Sequence, residues 1–132
     1  MRFWIALVVA AALLAGCGLE VQEADLFLVT RTGPGPKLTL LVNSDGSISC
    51  NGGKSKQLSD SLLISARDLA DSLDDDANLR FRPNARSVFT YTVKVPNGTF
   101  TFPDTAGSAR KELAQLELFV VQAAADPCGI SA

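Results

Sequence analysis

Apolar and polar side chains alternate most strictly over Ser87 to Val95, SVFTYTVKV. Phe89, Tyr91, Val93 and Val95 fall on one side, and Val88, Thr90, Thr92 and Lys94 on the other. A period of two over that length predicts a strand with one buried and one wet face. Pro96-Asn97-Gly98 then predicts a turn, and Thr99 to Phe102 a returning strand carrying Phe100 and Phe102. Upstream, Asp25 to Arg31 is rich in strand formers, and Gly33-Pro34-Gly35-Pro36 interrupts it. Lys37 to Asn43 alternates with Leu38, Leu40 and Val42 on one face. Ser44-Asp45-Gly46 makes a hairpin turn, and Ser47 to Cys50 returns with Ile48 before Asn51-Gly52-Gly53 closes the block.

Two stretches switch to the helical period. Ser59 is a suitable N-cap, Leu58 and Leu63 stand at staple positions, and Leu62, Ala66, Leu69 and Leu73 share one helical face. Asp74, Asp75 and Asp76 oppose the negative pole of that helix and end it. Leu79 to Asn84 reads as a loop because of Pro83. The second helix is expected from about Ser108 to Ala125, with Leu113, Leu116, Phe119, Val120 and Ala123 inward and Leu118 and Val121 widening the stripe. Asp126-Pro127 stops it. The order is β-β-β-α-β-β-α, which predicts an α+β fold: one antiparallel sheet of about five strands covered on one face by two helices. No internal repeat is present that would indicate a solenoid or propeller.

The other long apolar feature is the N-terminal run. Phe3 to Ala15 has no polar side chain and follows Arg2. Its 13 residues would cover roughly 20 Å as a helix, short of a roughly 30 Å hydrocarbon core. A signal peptide over residues 1–16 fits better than a permanent span. Leu14-Ala15-Gly16-Cys17 resembles the lipobox of bacterial lipoproteins. That resemblance implies cleavage before Cys17, diacylglycerol on its sulfur and frequent acylation of the new amine. An ordinary secretory signal with a chance cysteine is the competing reading. Residues 17–24 then form a lipidated tether and 25–132 a single α+β domain at a membrane's extracytoplasmic face. Gly18, where an aspartate would favour inner-membrane retention in that family, points to the outer membrane in a cell that has one.

Charge and cysteine content refine this picture. The formal net charge of −2 becomes −3 once Arg2 is lost, which argues against a nucleic-acid role and against electrostatic adhesion to anionic lipid. Two cysteines remain, Cys50 and Cys128. In an exported domain they are expected to form one disulfide, with two buried free thiols as the alternative.

The chain contains no histidine. This removes Ser-His-Asp and Cys-His catalysis and the usual zinc sites, and no cofactor or metal is expected. Gly53-Lys54-Ser55 matches the tail of a P-loop, but Ile48 stands where its first glycine is needed. Asp74, Asp76 and Asn78 have the first three EF-hand spacings, yet Leu79 and Ala85 replace the required glycine and glutamate. Two contact features survive. The loop Gly33, Pro34, Gly35, Pro36 is stiffened by its prolines and would lose little entropy on binding. Arg80, Arg82 and Arg86 surround Phe81 and could meet a carboxylate or phosphate.

From Asp25 to about Asp126 the layout resembles small actinobacterial lipoproteins and emfourin-like inhibitors of thermolysin-type proteases. The matching residues are Thr30-Arg31-Thr32-Gly33, Tyr91 followed by Asn97-Gly98, and Phe102-Pro103-Asp104-Thr105 before a Leu-rich last helix. The resemblance implies a binding module that could inhibit a protease, with no particular inhibitory residue transferred. The expectation is therefore a non-catalytic binding module, anchored in the membrane by lipid on Cys17, whose partner is an extracytoplasmic protein. The alternatives are an assembly factor of an envelope complex and a lipid carrier.

Overall fold

The computed structural model describes residues 25–131; the expected signal peptide, Cys17 and tether lie outside the described residues. Strand β1, Asp25–Thr32, is central because its inward positions Phe27 and Val29 are wholly apolar and are covered by both neighbours. It pairs antiparallel with β2, Leu38–Asn43, on one side and with β5, Thr90–Val95, on the other. Strand β3, Ser47–Cys50, extends the sheet from β2, followed by β4, Ser55–Gln57. Strand β6, Gly98–Pro103, forms the opposite edge, so the order is β4-β3-β2-β1-β5-β6.

The α+β architecture is as expected, with six strands where about five were foreseen. Strand β4 holds Ser55, Lys56 and Gln57, all exposed, so no apolar alternation marks it. It is held instead by its ladder to Ser47–Ser49 and by Lys56, whose ammonium donates to the Pro127 and Cys128 carbonyls at 3.3 and 3.4 Å.

Register places Phe27 beside Val42, and Val29 between Leu40 and Val93, on one face. Tyr91, Val95, Phe100, Phe102 and Ile48 complete that face. Both helices cover it. Helix α1, Asp60–Asp75, begins where Ser59 accepts the Leu62 amide at 3.3 Å, and it buries Ala66, Leu69 and Leu73. Helix α2, Lys111–Ala125, buries Leu113, Leu116, Phe119, Val120, Ala123 and Ala124. Phe119 meets Phe27 edge-on with centroids 5.7 Å apart, a favoured aromatic geometry.

Two details of α2 correct the sequence reading. Asp104–Ser108 is a separate 3-10 turn, so the helix starts at Lys111 and not Ser108. Leu118 and Val121 do not widen the buried stripe: they are 57% and 46% exposed. At 100° per residue Leu118 lies nearly opposite the Leu113–Leu116–Val120 face, away from the sheet and at the rim of an open cleft shared with Ser65 and Asp68 of α1.

The expected disulfide is present. Cys50 and Cys128, 78 residues apart, join the end of β3 to the segment after α2 with a Cα–Cα distance of 5.9 Å. The open face of the sheet is lined by a row of threonines across four strands, Thr39, Thr30, Thr92 and Thr101. Thr92 and Thr101 join their hydroxyls at 3.1 Å, a cross-strand pair of the kind that stabilises sheets. Leu28, paired with Leu41 and Lys94, is the buried exception on that face.

Candidate functional site

The end of β1 delivers the Gly33–Pro36 loop directly onto the start of β5. Gly33 has φ +151°, and a Cβ there would lie 2.6 Å from the Val88 carbonyl oxygen and 2.7 Å from the Phe89 ring. Only glycine permits that approach. Asp104 fixes the other side of the junction, accepting the Val88 amide at 3.2 Å and the Phe89 amide at 3.0 Å. Burial would raise the Asp104 pKa, but the amides and the Ser87 hydroxyl outweigh it and hold the carboxyl below its ordinary value. For this reason β5 begins at Thr90 and not at Ser87: residues 87–89 are tied to Asp104.

Arg31 sits beneath this junction. It occupies the next inward position after Phe27 and Val29 and is 7% exposed, with its guanidinium 4.4 Å above the Phe89 ring. Such a cation–π contact satisfies part of the charge where water is excluded. Sequence reasoning did not single out Arg31 as a buried cation, although the Phe27-Val29-Arg31 alternation signals it. Tyr91, its partner across the strands, has a raised pKa through burial and the charge of Glu117. Glu117, beside the 3-10 turn, has a buried Oε1 with no hydrogen-bond partner among the described residues. Burial, aided by the charge of Asp104, pushes its pKa up to about 7.

The three expected arginines are all exposed but do not converge on one pocket. Phe81 between them packs on Phe100 and Phe102. Arg80 bridges to Thr101 beside the β6 edge and opens onto one side of Phe81. Arg82 opens onto a cleft of about 230 Å³ on the other side, shared with Thr105 and Arg110. Arg86 lies beyond, in a turn where Asn84 accepts its amide at 2.9 Å. Residue 88 of the same segment touches Gly33, so the Gly33–Pro36 loop and the arginine segment belong to one end of the molecule.

Arg110 was not foreseen in this group. Its guanidinium lies 5.8 Å from the Phe81 ring centroid, 3.3 Å from Asp76 Oδ1 and 3.7 Å from Glu112 Oε1. Asp76 is raised to about 6 by burial and by Glu112, against the pull of Arg110. Burial of Glu112 is outweighed by hydrogen bonding from Asp76 and by Arg110, so its pKa is lowered and Asp76 is the member of the pair that takes up a proton first as pH falls.

The aspartates at the end of α1 do not gather into a cation loop. Asp74 accepts the backbone amide and side chain of Asn97 at 2.9 and 2.6 Å, while Asp76 faces Arg110. Among the described residues no cluster of three or more His, Cys, Asp or Glu could hold a metal, and no helix is long and apolar enough to cross a membrane. Ser55 of the Gly53-Lys54-Ser55 sequence lies in β4, not at the start of a helix as a P-loop serine would.

Compared with known proteins, the chain matches no family model, no curated protein and no solved structure.

Proposed function

We propose that the chain is a lipid-anchored extracytoplasmic binding module without catalytic activity, and that it recognises a protein through the end built from the Gly33–Pro36 loop and residues 82–88. The observation that carries this reading is the fit of Gly33 against Val88 and Phe89. A loop with two prolines, whose Gly33 packs so close to the Val88 carbonyl that no Cβ fits between them, is held before a partner arrives and loses little entropy when bound. Protease inhibition is its sharpest version, with this loop entering the catalytic cleft. The filled space between sheet and helices favours a binder over a lipid carrier, since the clefts around Phe81 are shallow and partly polar.

The test is affinity capture with the lipidated protein, solubilised in mild detergent, followed by mass spectrometry of bound protein and lipid. A stoichiometric secreted protease makes this an inhibitor. A membrane complex makes it an assembly factor. Lipid in stoichiometric amount without protein would overturn the reading in favour of a carrier. Loss of membrane association in Cys17→Ser tests the anchor separately.

A further inference from the structure

Helix α2 has an outer side that is exposed yet almost without charge. From Leu113 to Ala125 its one ionisable residue is Glu117, which sits on the flank toward the 3-10 turn, with Oε2 beside Gly107. Gln115, Leu118, Val121, Gln122 and Ala125 are exposed and run about 15 Å along the axis. A helix on the surface of a globular domain ordinarily turns charged side chains outward. Here two of the largest exposed apolar side chains of the described residues, Leu118 and Val121, take that place.

This strip borders a trough. Asp76, just past α1, meets Arg110 at the start of α2, while Ser65 and Leu69 stand across from Phe119 and Gln122, so the two helices run antiparallel. Between them opens a cleft of about 250 Å³, with Leu69 and Phe119 in its floor, Leu118 on one rim and Asp68 on the other. Val121 and Ala125 continue the apolar surface to Ile130 on the far flank of α2. Core and surface join here, which sets this patch apart from a single exposed leucine.

Charge names the occupant. The side of α1 turned away from the sheet carries Asp68, Asp71 and Asp75, all exposed. The one cation of α1, Arg67, is turned about 100° from Asp68 and donates to the Ser44 carbonyl at 3.0 Å. At the start of α2, Arg110 is held by Asp76 and Glu112, which leaves Lys111 as the opposing cation there. Asp126 adds an acid past the other end. The apolar seam is therefore flanked on its α1 side by carboxylates.

We infer that this trough receives a basic amphipathic helix of a partner protein. Its apolar side chains lie against Leu118 and over Leu69 and Phe119, and its Lys or Arg residues face Asp68, Asp71 and Asp75. A straight channel between two antiparallel helices accepts a third by packing ridges into grooves. The carboxylates repel an anionic membrane surface. A second copy about a two-fold axis would set Asp68 of both molecules along the same seam, with like charges opposed. The site lies on the helix layer and does not depend on the Gly33–Pro36 loop.

The experiment offers the purified full chain to a display library of amphipathic helical peptides whose apolar seam is fixed and whose other positions are free. Enriched peptides are expected to carry Lys or Arg along one flank of the seam and to shift the side-chain amide NMR signals of Gln115 and Gln122. Leu118→Asp and Asp68→Lys should each weaken their binding by about tenfold or more. Both variants should keep the melting temperature within about 1 °C, as exposed substitutions usually do. Exchanging Gly33–Pro36 for a Gly-Ser linker should leave this binding unchanged; its loss there would assign the peptides to the loop end and overturn the proposal. No enrichment, enriched peptides that are neutral or acidic, or binding indifferent to both substitutions would also overturn it. So would a Leu118-dependent dimer in sedimentation, which makes the occupant a second copy. Leu118-dependent adsorption of the Cys17→Ser chain to phosphatidylglycerol vesicles would overturn it in favour of a lipid surface.

Discussion

Gly33 lies so close to Phe89 that a Cβ on the glycine would sit 2.7 Å from the ring and 2.6 Å from the carbonyl before it. This contact joins the β1–β2 loop to the arginine-bearing segment. Gly33→Ala must displace backbone and not a flexible side-chain tip, at a φ that L residues rarely adopt. A loss of about 1–3 kcal/mol is expected, as for overpacked sites. Urea unfolding measures it, and a change within experimental error would mean that the junction yields freely.

The disulfide closes a long loop between β3 and the segment after α2. Chain entropy sets an upper contribution of about 4–5 kcal/mol for a loop of this size. Reduction, or the double change Cys50→Ser and Cys128→Ser, is expected to lower the urea midpoint substantially with little change in the native circular dichroism. An unaltered midpoint would show that Lys56 and the helix packing hold the C-terminal segment unaided.

Stability should rise as pH falls from about 7 to about 5. Glu117 and Asp76 have folded pKa values raised to about 7 and about 6, above their ordinary 4.5 and 3.8. Between the unfolded and folded values the native state binds more protons, so stability declines as pH rises through that window. Asp45, Asp104 and Glu112 have lowered pKa values and act in the opposite sense. Their contribution is present above the unfolded values and lost as pH falls below about 4. The maximum is therefore expected in mildly acidic solution. Glu117→Gln, which fixes the neutral form, should raise the melting temperature at pH 7.5 and flatten the slope between pH 5 and 7. An unchanged slope would remove Glu117 as its source.

The arginine segment gives a prediction about recognition and not about folding. Arg82 and Arg86 are exposed and make no ion pair among the described residues, so Arg82→Glu with Arg86→Glu should leave the melting temperature within about 1 °C, as surface substitutions usually do. Capture of an acidic partner should fall at least tenfold, with a weaker salt dependence of what remains. Undiminished capture would place recognition elsewhere.

Much of the fold was legible because burial imposes its period on the side chains. Phe89, Tyr91, Val93 and Val95 alternate as the inward face requires, and Ser59 caps α1 through its own hydroxyl. Where tertiary contacts replace local pattern, the sequence was silent. Strand β4 has no apolar residue, and only its ladder and Lys56 reveal it. Residues 87–89 carry a strand pattern but are drawn out of the sheet by Asp104. Leu118 and Val121 are apolar without being buried, because a helix two neighbours deep still has an outer side. At the candidate site, the Gly33–Pro36 loop and the arginines were visible as separate motifs. Their meeting through Val88, and the buried Arg31 beneath them, depend on the β1–β5 pairing that joins residues 58 positions apart.

The most direct measurement replaces Gly33–Pro36 with a flexible Gly-Ser linker of equal length and titrates the lipidated variant against the captured partner. With the disulfide formed and the melting curve still cooperative, the affinity is expected to drop by at least two orders of magnitude. If the linker variant bound as tightly as the parent, the loop end would not be the recognition surface, and the account of this protein as a binder acting through it would fail.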